Sequence, residues 1–246
     1  MGVCVHAVTE RQCVSWISDA WDQGRGGWLH TVNLDHLRMI HAGIFFPHEL
    51  PDAELRVCDG APLVWASRLQ GTPLPERVAG SNLIRSLTES AAASQRSVFF
   101  LGGNPGSAEG AAAQLLEEFP GFKVAGILCP DFGFEKNPAA LEEVAQILRK
   151  SEADLVFVAL GGPKSERLIQ DWKRMMPSTW WAGVGISFSF VTGEVKRAPR
   201  WVQASGLEWT HRLLQEPRRL AKRYLVYGLP FALRLFAHSL KQRFKS

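Results

Sequence analysis

The chain of 246 residues has no uncharged apolar run of the roughly 18 or more residues that crossing a bilayer requires, so nothing in it reads as a membrane-spanning helix. Its first residues, MGVCVHAVTERQ, have neither the basic nor the apolar region of a secretory signal, and the expected location is cytoplasmic. Cysteine is scarce. Cys4, Cys13, Cys58 and Cys129 show no CxxC spacing and no histidine placed to complete a zinc site. That pattern predicts reduced, partly buried thiols and no metal. No GxxxxGK[ST] occurs, which excludes P-loop chemistry, and the stretch GGNPGSA misses the full GxGxxG dinucleotide pattern. Carboxylates nearly vanish after Val195, where only Glu208 and Glu216 face twelve of the chain's 28 Lys and Arg residues.

What is present is a globular composition, 46% hydrophobic and 21% charged, which argues against disorder. The net charge of +4 conceals an asymmetry of about +10 after Val195 and about −6 before it. The basicity belongs to one end of the chain.

Five apolar runs read as strands: GWLHTVN (27–33), SVFFLGG (97–103), FKVAGIL (122–128), DLVFVALG (154–161) and WWAGVG (180–185). All but the first read as strands covered on both faces. Between them lie NLIRSLTESAAASQ (82–95), SAEGAAAQLLEEF (107–119), PAALEEVAQILRKS (138–151) and KSERLIQDWKRMM (164–176), with apolar residues at helical spacing. This alternation predicts an α/β fold with an open, doubly wound, mostly parallel sheet whose ligands settle at the carboxyl ends of the strands. Glycine-rich turns close three of those strands, around Gly102 and Gly103, before Ser165 and Glu166, and at Gly185. Such turns are tight connections in their simplest use. Several in one sheet also suit a nucleotide, because they expose backbone N–H groups at helix starts.

Polar residues concentrate near the same strand ends. Asp59, beside Gly60, is either a turn former or a carboxylate exposed at the sheet edge, where it could act as general base on a hydroxyl. Arg77 in PERVAGSNL offers a forked donor to phosphate, and Ser81 or Asn82 suits the cap of the following helix. In HTVNLDHL, Thr31 and Asn33 suit sugar hydroxyls, whereas His36 reads as a surface or capping residue.

The ordered series TVNLDHL, CDGAPLVWASR, PERVAGSNL, VFFLGGNPGSA, VFVALGGPKSE, GVGISFSFVTGEVKRAPRW and GLEWTHRLLQEPRRLAKRY, spanning residues 31–224, resembles the WecG/TagA/CpsF glycosyltransferases. The resemblance implies a Rossmann-like domain, residues 1–195, with a helical basic appendage, residues 196–246, that completes the active site and docks to membrane. It also implies inverting transfer of a hexosyl unit from a UDP-sugar to a polyprenyl diphosphate-linked sugar at the inner membrane face, with no cofactor or essential metal. By position, Asp59 becomes the general base, Thr31 and Asn33 the sugar pocket, and Arg77 the stabiliser of the leaving diphosphate. Gly102, Gly103 and Gly185 approach the nucleotide. Two departures bear on the donor sugar: PKSE, with Ser165 before Glu166, stands for the usual PKQE, and GSN stands for the frequent GsD.

The appendage is expected to supply the remaining cations, Arg197, Arg212, Arg219 and Arg223. The last three share one face of a helix starting near Leu207. Beyond Tyr224, leucines and aromatics with Arg234, Lys241, Arg243 and Lys245 suit a segment lying in the membrane interface and separable from the chemistry. A homo-oligomer is possible. Two other classes fit parts of the pattern: a nucleic-acid-binding module, suggested by the basic tail but carrying no recognised motif, and an NAD-type oxidoreductase, disfavoured by the incomplete fingerprint.

Overall fold

A computed structural model describes residues 3–44 and 52–244. Six strands, β1 (Gly27–Val32), β2 (Leu55–Cys58), β3 (Ser97–Gly102), β4 (Lys123–Leu128), β5 (Leu155–Ala159) and β6 (Trp180–Gly183), form one parallel sheet in the order β2-β1-β6-β5-β3-β4. Because every strand runs the same way, the loops that follow them gather at one end of the sheet.

The helices are α1 (Glu10–Asp22), α2 (Leu34–His41), α3 (Ala61–Gln70), α4 (Gly80–Ala93), α5 (Ser107–Glu118), α6 (Pro138–Ser151) and α7 (Lys164–Trp172). After β6 come α8 (Ser187–Val191), α9 (Arg200–Ala204), α10 (Glu208–Gln215), α11 (Pro217–Ala221) and α12 (Leu229–Arg243), with a π-helical stretch, Lys222–Gly228, joining the last two. Local signals explain several starts. A Thr9–Gln12 capping box opens α1, and the Asn137 side chain caps α6 ahead of Pro138 at its first position. Each such cap is worth about 1 kcal/mol.

The strand period of two sorts the sheet's side chains onto two faces. Leu29, Phe100, Phe157 and Ala182 pack under α1, α4, α5 and α8, whereas Trp28, Phe99, Val156 and Trp181 pack under α6 and α7. A third cluster lies at the strand ends, where Val32 and Cys58 meet Leu37, Leu63, Leu74 and, from the appendage, Phe231 and Leu235 of α12. The appendage is therefore part of the folded core.

Three expectations need correction. β4 is an edge strand with Val124 and Ile127 exposed, so it is not covered on both faces. β1, the run with the least regular pattern, is buried along its whole length. The helix expected from Leu207 through Arg223 breaks at Glu216, φ −128° and ψ 55°, because Pro217 follows: proline lacks an N–H and its ring pushes the preceding residue out of helical geometry. Arg212 therefore stands on a different helix from Arg219 and Arg223.

Candidate active site

Asp59 follows β2 directly, and its backbone N–H donates to Val32 O at 2.7 Å, tying the ends of β1 and β2 together. Its carboxylate is not the exposed group the sequence suggests: the residue is half-buried, and Oδ2 accepts from the Gly80 N–H at 3.3 Å. Gly80 opens α4, which has Ala79 at its N-cap and no side-chain cap of its own, so neither Ser81 nor Asn82 plays that part. Asp59 supplies the anion at the positive end of this helix instead. Burial raises its pKa above the ordinary 3.8; Arg77 and the Gly80 N–H pull it down, Glu208 pushes it up, and His36 pulls it down, with a net rise. Thr31 is nearly buried beside it, donating to Gly183 O at 3.4 Å.

Next to Asp59 stands a network that crosses from the sheet to the appendage. Arg77 Nη1 lies 2.8 Å from Glu208 Oε2, and Arg197 Nε lies 3.3 Å from Glu208 Oε1. Arg197 also donates through Nη2 to Asn82 Oδ1 at 2.6 Å and through Nη1 to Ser81 O at 3.4 Å. Asn82 in turn donates to Glu10 Oε2 at 3.0 Å. An aspartate at 82 could accept from Arg197 but could not donate to Glu10, so the asparagine of GSN suits both neighbours.

On the other side of β1, His36 Nε2 lies 3.2 Å from Glu166 Oε1, both side chains being buried. His36 is therefore a capping residue but not a surface one. Its Nδ1 accepts from the Asn33 N–H at 3.4 Å, while Asn33 Oδ1 accepts from the Asp35 and His36 N–H groups and caps α2. The Glu166 pKa ends below the ordinary 4.5: burial pushes it up, but the His36 hydrogen bond and charge outweigh that. The neighbouring His30 is pushed down to about 3, chiefly by burial and then by His36, and neither of its ring nitrogens has a hydrogen-bond partner. Ser165 Oγ, also buried, has none either.

His30, His36 and Glu166 offer donor atoms within 4.8 Å of one another, the spacing of a conceivable metal cluster. His36 Nε2, however, already faces Glu166 Oε1 at 3.2 Å. A cation held by both groups would have to break into that contact.

The appendage arginines do not converge on one point. Arg212 and Arg219 share Glu216, and Arg212 also lies over the Phe190 ring, 5.6 Å from its centre. Arg223 reaches Asp35 Oδ2 at 2.9 Å, near Asn33. The glycines also divide. At Gly102 and Gly103 an added Cβ would strike Leu160 and Ser107, at 2.7 and 2.4 Å, so close packing already requires them. Gly185, φ +56°, faces open space at the end of β6.

Sequence reasoning missed Glu208 and His30. Glu208 did carry a signal, being one of two carboxylates in a segment with twelve cations.

An open parallel sheet with polar side chains gathered at the carboxyl ends of its strands is the architecture of an α/β ligand-binding enzyme. The profile of the Glycosyl transferase WecG/TagA/CpsF family matches residues 1–245, and the chain belongs to that family: it is a glycosyltransferase. A Bacillus spizizenii protein described as N-acetylglucosaminyldiphosphoundecaprenol N-acetyl-beta-D-mannosaminyltransferase is 34% identical over 202 residues, covering 80% of this chain and 75% of its own length. A Bacillus subtilis protein of the same description is 32% identical over 198 residues, with the same coverage of each chain. Family membership replaces the oxidoreductase and nucleic-acid readings of the sequence as accounts of the activity.

Proposed function

We propose that the chain moves a hexosyl unit, N-acetylmannosamine or a close relative, from a UDP-sugar to an undecaprenyl diphosphate-linked sugar, with inversion, without an essential metal and with Asp59 as general base. The acceptor class follows the printed descriptions of the two Bacillus relatives. The observation that carries the chemistry is Asp59 itself, a half-buried carboxylate of raised pKa at a strand's carboxyl end, beside a guanidinium pair.

In this reading Asp59 takes the proton of the acceptor hydroxyl as its oxygen bonds to the anomeric carbon. The bond from that carbon to the β-phosphate oxygen breaks in the same step, and UDP leaves with the electron pair. Arg77 and Arg197 offset the charge that develops on the diphosphate, a task suited to planar guanidinium forks. Thr31 and the Asn33 amide meet the sugar, Gly185 leaves room for the nucleotide, and Gly102 and Gly103 shape the neighbouring loop. Ser165 and Glu166 line the far side of β1. Arg212, Arg219 and Arg223, already paired with carboxylates, would have to exchange those partners to reach a diphosphate.

Residues 1–195 hold the donor, and residues 196–246 complete the site and rest on the cytoplasmic membrane face. Among the described residues no helix is long and apolar enough to cross a membrane. The appendage nevertheless exposes Trp201, Leu214, Leu225, Val226, Leu229 and Leu233, an amount of apolar surface that points to an interface.

The test is UDP release from a panel of UDP-sugars in the presence of an undecaprenyl diphosphate-N-acetylglucosamine acceptor, with and without EDTA. Acceptor-dependent release from UDP-N-acetylmannosamine that survives EDTA is expected. Release from no member of the panel, or release that EDTA abolishes, overturns the reading.

A further inference from the structure

Glu208 is a single carboxylate that receives both Arg77, from the loop before α4, and Arg197, from the segment after β6, one guanidinium on each oxygen. Its side chain is 11% exposed and those of the two arginines 20% and 24%, so the contacts are largely shielded from solvent. The carboxylate is also fixed from behind. Glu208 is the first residue of α10, where a negative charge is favoured by the helix dipole. The turn leading into it contains Gly206, φ +77°, and a Cβ there would fall 2.5 Å from the Ala61 Cβ and 2.7 Å from the Trp65 ring. Those contacts seat the turn on α3, the helix that begins two residues after Asp59.

Resting on the reading of Asp59 and Arg77 given above, we propose that Glu208 is the positioning residue of the active site: it holds Arg77 and Arg197 as a pair beside Asp59 and so makes α10 part of the catalytic centre. A pair of unopposed guanidinium groups at this spot would repel one another and seek other anions, and Arg77 already acts on the Asp59 charge. With Glu208 between them they stay oriented and Asp59 stays available as a base.

The charged and titratable groups around the Asp59 carboxyl are Arg77, Glu208 from α10, His36 from α2 and Cys58 from β2, with the Gly80 N–H donating from α4. Of these Glu208 raises the Asp59 pKa and Arg77 lowers it. Removing the Glu208 charge therefore eases Asp59 ionisation, and it also strengthens the effect of an unneutralised Arg77.

The experiment uses the full chain with UDP-N-acetylmannosamine and the lipid acceptor. Glu208→Gln keeps the side chain's size but removes its charge. Its kcat/KM is expected to fall on the order of 10- to 100-fold, mainly through kcat, as expected for misplaced catalytic groups. The acid limb of its pH profile moves to lower pH. Glu208→Asp keeps the charge, so its acid limb stays near that of the parent while kcat falls. In the Arg77→Gln background the Glu208→Gln change costs less than it does alone, since the Arg77 contact is already gone and only the hold on Arg197 is left to lose.

A Glu208→Gln enzyme with parental kcat and an unmoved acid limb overturns the proposal. So does full additivity with Arg77→Gln. If Glu208→Gln does not fold, Glu208→Asp decides: unchanged kcat overturns the proposal. Asp59→Asn in the same assay keeps the two claims apart. Turnover that persists there removes the general-base reading, whereas an inactive Asp59→Asn beside a parental Glu208→Gln removes only the role of Glu208.

Discussion

The Gly80 N–H donates to Asp59 Oδ2 at 3.3 Å, so the carboxylate just after β2 is also the anion at the start of α4. Two elements distant in sequence thus share one charged group. Yet burial makes that charge costly, since it raises the Asp59 pKa.

The cost has a measurable sign. A group whose folded pKa lies above its unfolded value binds protons more tightly when folded, so it lowers stability at pH 7 and the loss shrinks as pH falls. Asp59→Asn removes the charge and keeps an amide able to accept from Gly80. Its Tm at pH 7, followed by circular dichroism, is expected to equal or exceed that of the parent. A fall of several degrees would instead make Asp59 a structural anion.

His30 and Glu166 predict acid sensitivity. His30 titrates at 6.5 in its ordinary state but at about 3 when folded, so the unfolded chain alone takes up its proton between those values. Stability contributed by the neutral ring is then lost as pH falls below 6.5, with a slope approaching about 1.4 kcal/mol per pH unit. Glu166, held below 4.5, adds a loss in the same direction at lower pH. Urea midpoints measured from pH 7 to 4 should fall, and His30→Leu should flatten the upper part of that curve.

The thiols should divide into reactive and inert sets. Cys13 and Cys58 are buried and pushed up to about 12, mainly by that burial, whereas Cys4 is exposed and Cys129 partly so. Alkylation of the folded protein at pH 8, mapped by mass spectrometry, is expected at Cys4 first and Cys129 more slowly. Cys13 and Cys58 should react only after denaturation.

Membrane docking is better tested by substitution than by truncation. α12 is apolar on two sides: Phe231, Ala232 and Leu235 are buried against the core, while Leu229 and Leu233 are exposed. Deleting everything after Tyr224 would remove core side chains whose individual loss costs about 2–5 kcal/mol, so the tail is not the separable segment the sequence suggests. Leu229→Gln with Leu233→Gln should leave Tm near the parental value and weaken flotation with anionic vesicles. Undiminished flotation would move the docking surface elsewhere.

Much of the fold was legible in the residues. The β-branched and aromatic runs at β3, β5 and β6, and the helices between them, follow directly from periodicity, because each buries a regular face. β2 was not seen as a strand: LRVC has only four residues and carries Arg56. The N-terminal segment shields it, with the His6 N–H donating to Arg56 O at 2.8 Å. α3 escaped notice because APLVWASRLQ lies between the strand ends and α12, which blurs its apolar stripe. At the site, Asp59 and Arg77 were readable as residue types, but what each one touches was not. Glu208 and Arg77 are 131 positions apart, and no local pattern announces a contact of that range. The break at Pro217 was readable, and it separates Arg212 from the arginines that follow.

The central claim, that Asp59 is the base, is tested most directly by turnover of Asp59→Ala with UDP-N-acetylmannosamine and the lipid acceptor, beside UDP affinity by calorimetry. The account predicts a loss of roughly 10²- to 10⁴-fold or more in kcat, the scale of a lost general base, with UDP still bound. Turnover within a few-fold of the parent enzyme would contradict it.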